Sequence, residues 1–423
     1  MKKLLIAAMA ATLFTACKKS DTPDTDIQAD RTVFVYMAGE NNLSAYAEKD
    51  LSEMKKGAQS IGSNNNLIVY VDDASSQKPY IARVKDGALR DTTFFSESYS
   101  SDPNILQLLL SHVKDTYPAK SYGLVFWGHA TGWFIKRDSI AYNSRRRAYG
   151  GDTGNNTTTS SGRFWMNIPS MAKAISRAMG SDKLKYIFFD CCNMGCVEVA
   201  YELRNVADYM VASPAEIPEE GAPYDIVVPD LFSQSEAFYR NLIDHYYDYY
   251  TDKIKAEPGK YFNKVPGDLN GYSVPLVAVK CAETDNLASA TSSILLSIAD
   301  KISADGSGLD QTGVIFYGEA DSRPYGYDMR NTFKQNCAQA DYDTWMGTYN
   351  QAVPYYRTSD RWLTGGYHYL IPAISTFNTA QDNAGCLSMF YPSSTYWGTD
   401  PVWNKAIQQM QWNSVIHWEQ YGW

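Results

Sequence analysis

Two apolar runs of the chain end beside side chains that can form and break covalent bonds. The run at 123–127 (GLVFW) is followed by His129, and the run at 186–189 (YIFF) is followed by Cys191 and Cys192. A thiol attacks as its thiolate, and an ordinary cysteine is mostly protonated at neutral pH, so it needs a base nearby. A histidine at a neighbouring strand end supplies that base and later protonates the leaving amine. The two segments therefore predict nucleophilic cysteine chemistry.

Each of these residues also has an ordinary structural explanation. A lone histidine is often a buried imidazole bonded to the backbone, and free cysteines are usually inert core residues or partners in a local disulfide. The position of both segments is what favours catalysis, because reactive groups collect just past the carboxyl ends of the strands of a parallel sheet. We therefore interpret His129 and the two adjacent cysteines together, as reactive groups on neighbouring strand ends.

The elements that must position this pair are short buried strands. Apolar runs that end in polar or glycine-rich turns are typical of strands buried on both faces of a mainly parallel sheet. Five such runs lie at 32–37, 67–71, 123–127, 186–189 and 209–211. Helical patterns at 43–54 and 105–113 lie between them, and the alternation of strand and helix predicts a three-layer α/β/α domain.

The rest of the folded chain divides into a long polar loop and a second unit. We expect residues 143–162 to form an exposed loop, since they are rich in Gly, Thr, Ser and Arg. A Pro/Gly-rich passage places a boundary near residue 265, which separates a catalytic domain (31–265) from a C-terminal α/β subdomain (266–423). Within that subdomain we predict a strand, a helix and a late strand, at 273–279, 287–302 and 386–391.

The first thirty residues have the composition of an export signal and a tether. Residues 1–16 combine two lysines, an apolar run and small residues, which is the pattern of a secretory signal peptide. The segment ending at Cys17 resembles a bacterial lipobox, in which Cys17 receives lipid; the alternative is an ordinary cleaved signal. Residues 17–30 are predicted to be a flexible tether. We expect an exported lipoprotein at the outer membrane or cell surface, in contact with the membrane through its lipid alone.

Composition narrows the class of protein further. The chain has 423 residues, of which 44% are hydrophobic and 20% charged, so most of it folds. Its 38 Lys and Arg against 47 Asp and Glu give a net charge of −9, which argues against a nucleic-acid partner. The cysteines that remain after Cys17 show no disulfide framework, and CCNMGC has no second Cys/His pair at zinc-ligand spacing. We expect a monomer.

Four segments, in order, resemble the clostripain family of cysteine peptidases, which share a fold with caspases and gingipains. These segments are 36–43 (YMAGENNL), 118–133 (ending in LVFWGHATGW), 190–203 (DCCNMGCVEVAYEL) and 385–392 (GCLSMFYP). The resemblance implies a caspase-like α/β/α fold with a largely parallel central sheet. It also implies an endopeptidase that acts on polypeptides through a thioester intermediate.

The resemblance assigns the reacting residues by position. His129 matches the catalytic histidine of the family, and Cys192 matches its nucleophile. Cys191 stands where the family usually has alanine, and an oxidised or disulfide-bonded Cys191 would silence its neighbour. No metal is needed for this chemistry. Clostripain-like enzymes can depend on calcium, but the chain has no EF-hand spacing that would locate a site.

One departure from the family pattern concerns the backbone beside the histidine. The family commonly has H-G-G-G-W, whereas this chain has Ala130 and Thr131 after the histidine. The backbone from Gly128 to Ala130 is the expected source of oxyanion donors. If a positive φ is required at Ala130 or Thr131, those donors are impaired.

The family resemblance also implies substrate preference and maturation. Members of the clostripain type cleave after Arg or Lys, which requires a negative charge at the base of the pocket. Asp190, two residues before the cysteine, is one candidate, and Glu220, which falls where the family pattern often carries Asp, is the other; the alternative is that these loop acids are simply solvated. Cleavage between the histidine and cysteine segments is typical, and it predicts self-processing at Arg145, Arg146 and Arg147.

A second function, from a different class, is compatible with the composition. The chain has 32 tyrosines and 10 tryptophans, and exposed aromatic rings suit the binding of peptides or sugars. A catalytically degenerate surface lipoprotein that holds glycan or peptide is therefore the alternative. Alkylation with iodoacetamide distinguishes them, because an active site predicts rapid, selective labelling of Cys192.

Overall fold

A computed structural model describes most of the chain after residue 27. The described ranges are 28–75, 78–134, 149–152, 164–256, 270–320, 323–368, 371–380, 383–394 and 403–423. The predicted signal peptide, Cys17, most of the tether and the three residues Arg145, Arg146 and Arg147 lie outside the described residues.

The described strands fall into one large sheet and three small two-stranded ribbons. In chain order they are β1 (Arg31–Gly39), β2 (Asn65–Asp73), β3 (Tyr80–Lys85), β4 (Ala88–Phe94), β5 (Tyr122–Ala130), β6 (Tyr149–Asp152), β7 (Phe164–Met166), β8 (Leu184–Asp190), β9 (Ala207–Ala212), β10 (Leu276–Lys280), β11 (Glu319–Ala320), β12 (Arg323–Pro324), β13 (Tyr327–Asp328), β14 (Tyr355–Arg357), β15 (Arg361–His368), β16 (Ile371–Thr376) and β17 (Ser388–Met389).

The helices cover both faces of the large sheet. The α-helices are α1 (Ser44–Gly57), α2 (Pro103–Thr116), α3 (Ile168–Met179), α4 (Val197–Leu203), α5 (Tyr224–Leu231), α6 (Phe238–Ala256), α7 (Thr284–Leu296), α8 (Ala299–Ile302), α9 (Met329–Asn336), α10 (Gln339–Ala352), α11 (Trp403–Ala406) and α12 (Asn413–Ile416). Short 3₁₀ turns lie at Ala58–Ser60, Cys281–Glu283, Ile407–Gln409 and Trp418–Tyr421. No helix within the described ranges is long and apolar enough to cross a membrane.

The large sheet is parallel at its centre and antiparallel at its edges. Its order is β14-β10-β9-β8-β5-β1-β2-β3-β4, and β6 and β7 attach at the end of β5. The five strands from β9 to β2 pair in parallel. The five apolar runs predicted as strands, at 32–37, 67–71, 123–127, 186–189 and 209–211, all lie within this parallel part. The predicted α/β fold, with a largely parallel sheet between helices, is confirmed.

The two faces of the sheet bury alternate residues of each central strand. In β1, Val33 and Val35 pack in the layer that contains α1, α5 and α6, whereas Phe34 and Tyr36 pack in the layer that contains α2, α3 and α4. Successive side chains of a strand point to opposite faces, so a run that is apolar throughout must be covered on both. This two-sided burial explains why the strands appear in the sequence as continuous apolar runs.

The predicted exposed loop at 143–162 is wrong for four of its residues. Tyr149–Asp152 forms the buried strand β6, which pairs with the end of β5. The Tyr149 hydroxyl donates to the carbonyl oxygens of Tyr36 and Trp127, both at 3.0 Å, and its ring lies 4.8 Å from that of Phe126. A tyrosine anchored in this way buries a segment whose composition is otherwise that of a loop.

The chain after residue 265 contributes strands to the same large sheet. β10 pairs with β9, and β14 pairs with β10, both antiparallel. The predicted strand at 273–279 is therefore an edge strand of the central sheet, and the late strand at 386–391 shrinks to Ser388–Met389, paired with β13. The predicted helix at 287–302 divides into α7 and α8. The division of the chain at 265 into two domains stays a prediction.

Candidate active site

The two adjacent cysteines after β8 point in different directions. Cys191 is fully buried, and its Sγ donates to the carbonyl oxygen of Phe126 at 3.2 Å. Cys192 is only partly buried, and the backbone N–H of Ile217 donates to its Sγ at 3.4 Å. All six described cysteines are free. Of the adjacent pair, Cys192 is therefore the less buried residue.

His129 lies near the end of the neighbouring strand. In the register of β5 and β8, Trp127 pairs with Asp190. His129 and Cys192 each lie two residues beyond that pair, His129 within β5 and Cys192 in the turn after β8. The structure thus brings both residues to the carboxyl edge of the sheet.

The imidazole is oriented by a residue from the turn after β1. The Nε2 of His129 lies 2.9 Å from the Oδ1 of Asn42. An amide oxygen accepts only, so this contact uses the tautomer of His129 in which Nε2 carries the proton. The ring of Trp165 lies 6.4 Å from the imidazole. Asn42 therefore orients the ring of His129.

The positive φ angles beside His129 fall on glycines that this chain retains. Gly128 has φ +139°, and a Cβ there would lie 2.8 Å from the carbonyl oxygen of Ala38. Gly132 has φ +78°, and a Cβ there would lie 2.8 Å from the carbonyl oxygen of Asn193. Ala130 and Thr131 adopt ordinary negative φ. The departure from the family's H-G-G-G-W pattern therefore imposes no backbone strain.

Asp190 lies beneath this edge of the sheet and is fully hydrogen-bonded. Its two oxygens accept from the N–H of Ala222 at 3.0 Å and from the hydroxyls of Tyr224 at 2.9 Å and Tyr246 at 3.0 Å. Burial raises the pKa of Asp190 to about 6. The carboxylate therefore anchors the loop that carries Ala222, in addition to any part it has in a substrate pocket.

A second buried carboxylate lies close to Asp190. Asp50, from α1, accepts a hydrogen bond from the Nε1 of Trp127 at 2.6 Å. Burial, and then the charge of Asp190, raise the pKa of Asp50 to about 9. At neutral pH Asp50 is therefore protonated, and Asp190 carries the negative charge of the pair.

Two glutamates lie in the loop that follows β9. Burial raises the pKa of Glu216 to about 7, and its carboxylate has no hydrogen-bond or ion-pair partner among the residues that the structure describes. Burial, followed by the charge of Glu216, raises the pKa of the Cys192 thiol well above its usual range. Glu220 is half-buried in the same loop, and its charge raises the pKa of Tyr272 after the larger effect of burial.

Comparison with known proteins identifies the family. The sequence profile of the Clostripain family of C11 peptidases matches residues 35–360. The chain belongs to the clostripain family. This span contains His129, Cys192, the acidic residues described above and three of the four sequence segments, at 36–43, 118–133 and 190–203. The resemblance to the family is confirmed.

Relatives of known structure share the fold over nearly the whole chain. A secreted C11 cysteine protease of Bacteroides thetaiotaomicron, solved with an irreversible peptide inhibitor, is 28% identical, with a TM-score of 0.73 over 93% of this chain and 100% of that one. An inactive zymogen C11 protease of Parabacteroides distasonis is 26% identical, with a TM-score of 0.71 over 92% and 98%.

The similarity to Clostripain of Hathewaya histolytica is shorter. The two proteins are 27% identical over 222 residues, which is 46% of this chain and 40% of that protein. The aligned region is thus less than half of either sequence.

Several residues of this clostripain-family site were not anticipated from the sequence. Asn42 was visible only as part of the opening segment, and Asp50 as one polar residue of an amphipathic helix. Glu216 lies four residues before the predicted Glu220, and no spacing rule distinguishes the two. Only the tertiary structure reveals that the charge of Glu216 raises the pKa of Cys192 more than that of any other carboxylate does.

Asn42 provides a test of how the base is oriented. We expect Asn42→Ala to lower kcat by between about 10-fold and 100-fold, with KM unchanged, because the imidazole loses its orienting acceptor. Asn42→Asp keeps an oxygen acceptor and should retain most of the activity. Steady-state kinetics over a range of pH make the comparison, and equal activity of all three proteins would exclude an orienting role.

Proposed function

We propose that the protein is a cysteine endopeptidase that hydrolyses peptide bonds after Arg or Lys, with Cys192 as nucleophile and His129 as base. The observation that carries the proposal is the placement of both side chains two residues beyond the paired positions Trp127 and Asp190 of neighbouring parallel strands. Membership of the clostripain family supports the same roles.

The proposed chemistry proceeds through a thioester. His129 takes the proton of Cys192, and the thiolate attacks the carbonyl carbon of the scissile bond. Backbone N–H groups near Gly128 and Ala130 stabilise the oxyanion. The C–N bond then breaks while the imidazolium protonates the leaving amine. Water, deprotonated by His129, attacks the thioester and releases a carboxylate and the free thiol.

The acidic residues around the nucleophile support a basic residue at P1, the position before the cut. Asp190, Glu216 and Glu220 place negative charge beside and beneath Cys192, and a cation leaving water needs such a partner. We assign Asp190 and Glu220 the roles predicted from the family pattern. To these we add Glu216, because its carboxylate has no hydrogen-bond or ion-pair partner among the described residues and could therefore pair with a substrate cation.

Polypeptides are the proposed substrates, and the membrane is reached through lipid on Cys17. A relative solved with a peptide inhibitor supports the first statement, and its description as secreted supports export. The alternative, a binding lipoprotein with an aromatic surface, has less support. Among the aromatic residues whose burial the structure describes, Phe94 is the one that is mostly exposed, and the tyrosines and tryptophans of that set are buried or partly buried.

A profile of cleavage sites tests the proposed specificity. The purified protein is incubated with a peptide library, and the residue before each cut is identified by mass spectrometry. We expect Arg or Lys at that position in nearly all products, and no products from Cys192→Ala. Cleavage after neutral residues would disprove the basic specificity, and absence of cleavage together with slow alkylation of Cys192 would favour the binding protein.

Self-processing at Arg145, Arg146 or Arg147 is a further expected activity. The three arginines lie between β5 and β6, in a segment of the kind that a basic-specific peptidase cuts, and a zymogen form is known for a relative. Both fragments would stay in one particle, because β5 and β8 pair in one sheet. Wild type should run as two bands under denaturing conditions and one species under native conditions.

Two controls assign that cut. Cys192→Ala, expressed alone, should remain a single chain. A variant without Lys or Arg at positions 145–147 should also remain intact, and it should still cleave peptides if the cut is not required for activity. An active wild type that stays intact on prolonged incubation would contradict self-processing. A processed Cys192→Ala would assign the cut to another protease.

A further inference from the structure

A small cavity lies at the junction of three segments near the candidate active site. Residues 131–133, which follow His129, contribute to its lining. So do residues of the stretch 193–198, which follows Cys192, and residues 388–390 from the C-terminal part of the chain. The cavity has a volume of about 10 Å³, which is room for a single water-sized species.

Two buried oxygen atoms of the lining residues have no hydrogen-bond donor within the described part of the chain. They are the Oε2 of Glu198, a residue that is 0% exposed, and the Oδ1 of Asn193, a residue that is 5% exposed. The other oxygen of Glu198 accepts from the backbone N–H of Phe390 at 2.7 Å. The thiol of Cys196, a weak donor, lies against the same carboxylate. Buried oxygens without a strong donor are costly, so both atoms require a ligand that donates.

We propose that the cavity binds one water molecule, which donates one hydrogen to Glu198 and the other to Asn193. Water carries two donors on one small atom, and each of the two acceptors needs one. Burial raises the pKa of Glu198 to about 7, and water suits either state of the carboxyl group because it both donates and accepts. A divalent cation fits less well, since Ca²⁺ and Mg²⁺ require about six or more oxygens, whereas Trp133, Met389 and Phe390 make much of the lining apolar.

The cavity connects the two turns that carry the reacting residues. Asn193 follows Cys192 directly and has a left-handed backbone, with φ +60°. Gly132, three residues after His129, lies so close to Asn193 that a Cβ on it would be 2.8 Å from the Asn193 carbonyl oxygen. The water joins the Asn193 side chain to Glu198 in α4, and so holds the nucleophile turn in place. Glu198 is thus a positioning residue for Cys192, a role that rests on the proposed peptidase function.

The first test locates the water without depending on peptidase activity. Crystals of Cys192→Ala protein, grown in NaCl or in RbCl, are analysed at high resolution. We expect one density peak at about 2.7 to 3.2 Å from both the Oε2 of Glu198 and the Oδ1 of Asn193, with no anomalous signal from rubidium. Absence of a peak would overturn the proposal. A rubidium signal, or contacts of about 2.4 Å as to a metal ion, would overturn the choice of water.

The second test removes one acceptor with Asn193→Gly. Glycine adopts a φ of +60° without strain, so this variant loses Oδ1 and keeps the backbone of the turn. We expect kcat to fall at least about 10-fold with KM little changed, because Cys192 is held less firmly in its reacting position. In crystals of the Cys192→Ala background the density peak should disappear. Full kcat would contradict the positioning role, and a retained peak would mean that Asn193 does not bind the water.

The third test compares Glu198→Leu with the matched control Glu202→Leu. Both glutamates are buried in α4, but Glu202 accepts from the N–H and the Nε2 of Gln411 and lies outside the cavity lining. Both variants should have a lower Tm, whereas only Glu198→Leu should lose kcat, by at least about 10-fold. Glu198→Gln, which keeps polar atoms at both positions, should retain most of the activity.

The outcomes separate the positioning role from stability and from the proposed function. Equal kcat in the two leucine variants would make Glu198 a purely structural residue and overturn its role, and Asn193→Gly decides the same point if Glu198→Leu does not fold. A wild type that cleaves no peptide would contradict the proposed function, while the crystals of inactive Cys192→Ala protein would still decide whether the water is bound.

Discussion

Cys192→Ala is expected to abolish peptidase activity, whereas Cys191→Ala should retain most of it. The loss should be at least about 10⁴-fold in kcat, which is the size of effect seen when the nucleophile of a protease is removed. The structure explains the difference between two adjacent thiols. Cys192 is partly exposed beside Ile217, whereas Cys191 is 0% exposed and its thiol donates to the carbonyl oxygen of Phe126. Fluorogenic peptides with Arg at P1 provide the measurement.

Two further observations make this comparison decisive. Iodoacetamide should label Cys192 in the wild type and in Cys191→Ala, and the labelled proteins should be inactive. Circular dichroism should confirm that both variants are folded. An inactive Cys191→Ala together with an active Cys192→Ala would mean that the family alignment of the nucleophile is off by one residue.

Neutralising the pocket acids should have the next largest effect. We expect Asp190→Asn to lower kcat/KM for Arg substrates by about 10²-fold or more, because a substrate cation loses its buried charge partner. Since the pKa of Asp190 is raised to about 6, the preference for Arg should also weaken as the pH falls through that value and the carboxylate is protonated. Kinetics on matched Arg and citrulline peptides make the measurement.

The citrulline peptide distinguishes two roles of Asp190. Loss of charge lowers the rate for Arg alone, whereas loss of the hydrogen bonds to Ala222 and Tyr224 would lower both rates. We expect the larger loss for Arg. An unchanged ratio of Arg to citrulline would move the specificity determinant to Glu216 or Glu220.

Glu216→Gln is the companion variant for this pocket. It should also reduce the preference for Arg, and it should accelerate alkylation of Cys192 at pH 7. The sign follows from electrostatics: the charge of Glu216 raises the pKa of Cys192, so its removal lowers that pKa and increases the thiolate fraction. Glu219→Gln, in the same loop but exposed and bonded to the hydroxyl of Tyr46, is the control and should change neither property.

The central fold could be predicted from the sequence, and a candidate reacting pair could be selected, because both signals are local. A strand buried on both faces must be apolar throughout, so β1, β2, β5, β8 and β9 are visible as runs. Reactive residues in parallel sheets lie just past strand ends, which directs attention to His129 and Cys192. The family segments added the order of the pair and the expected peptidase chemistry.

Other features depended on contacts between segments far apart in the chain. The strand Tyr149–Asp152 has the composition of a loop, and its burial follows from the hydroxyl of Tyr149 reaching two carbonyl groups of neighbouring strands. The predicted late strand shrank to Ser388–Met389, because its only described strand partner is the short β13. Local composition does not report partners of this kind.

The sequence by itself determined which predicted strands carry the candidate reactive residues. A histidine and a cysteine follow two buried strands, and acidic residues lie nearby in the sequence. Only the tertiary structure decided which acids matter and how. Both oxygens of Asp190 accept hydrogen bonds. Glu216 has no hydrogen-bond partner among the described residues, and its charge raises the pKa of Cys192. Asp72 lies close to two acids, Glu40 and Asp152, that are distant in the sequence. The physical reason is that charge energies depend on burial and on distances between side chains, which the spacing of residues along the chain does not specify.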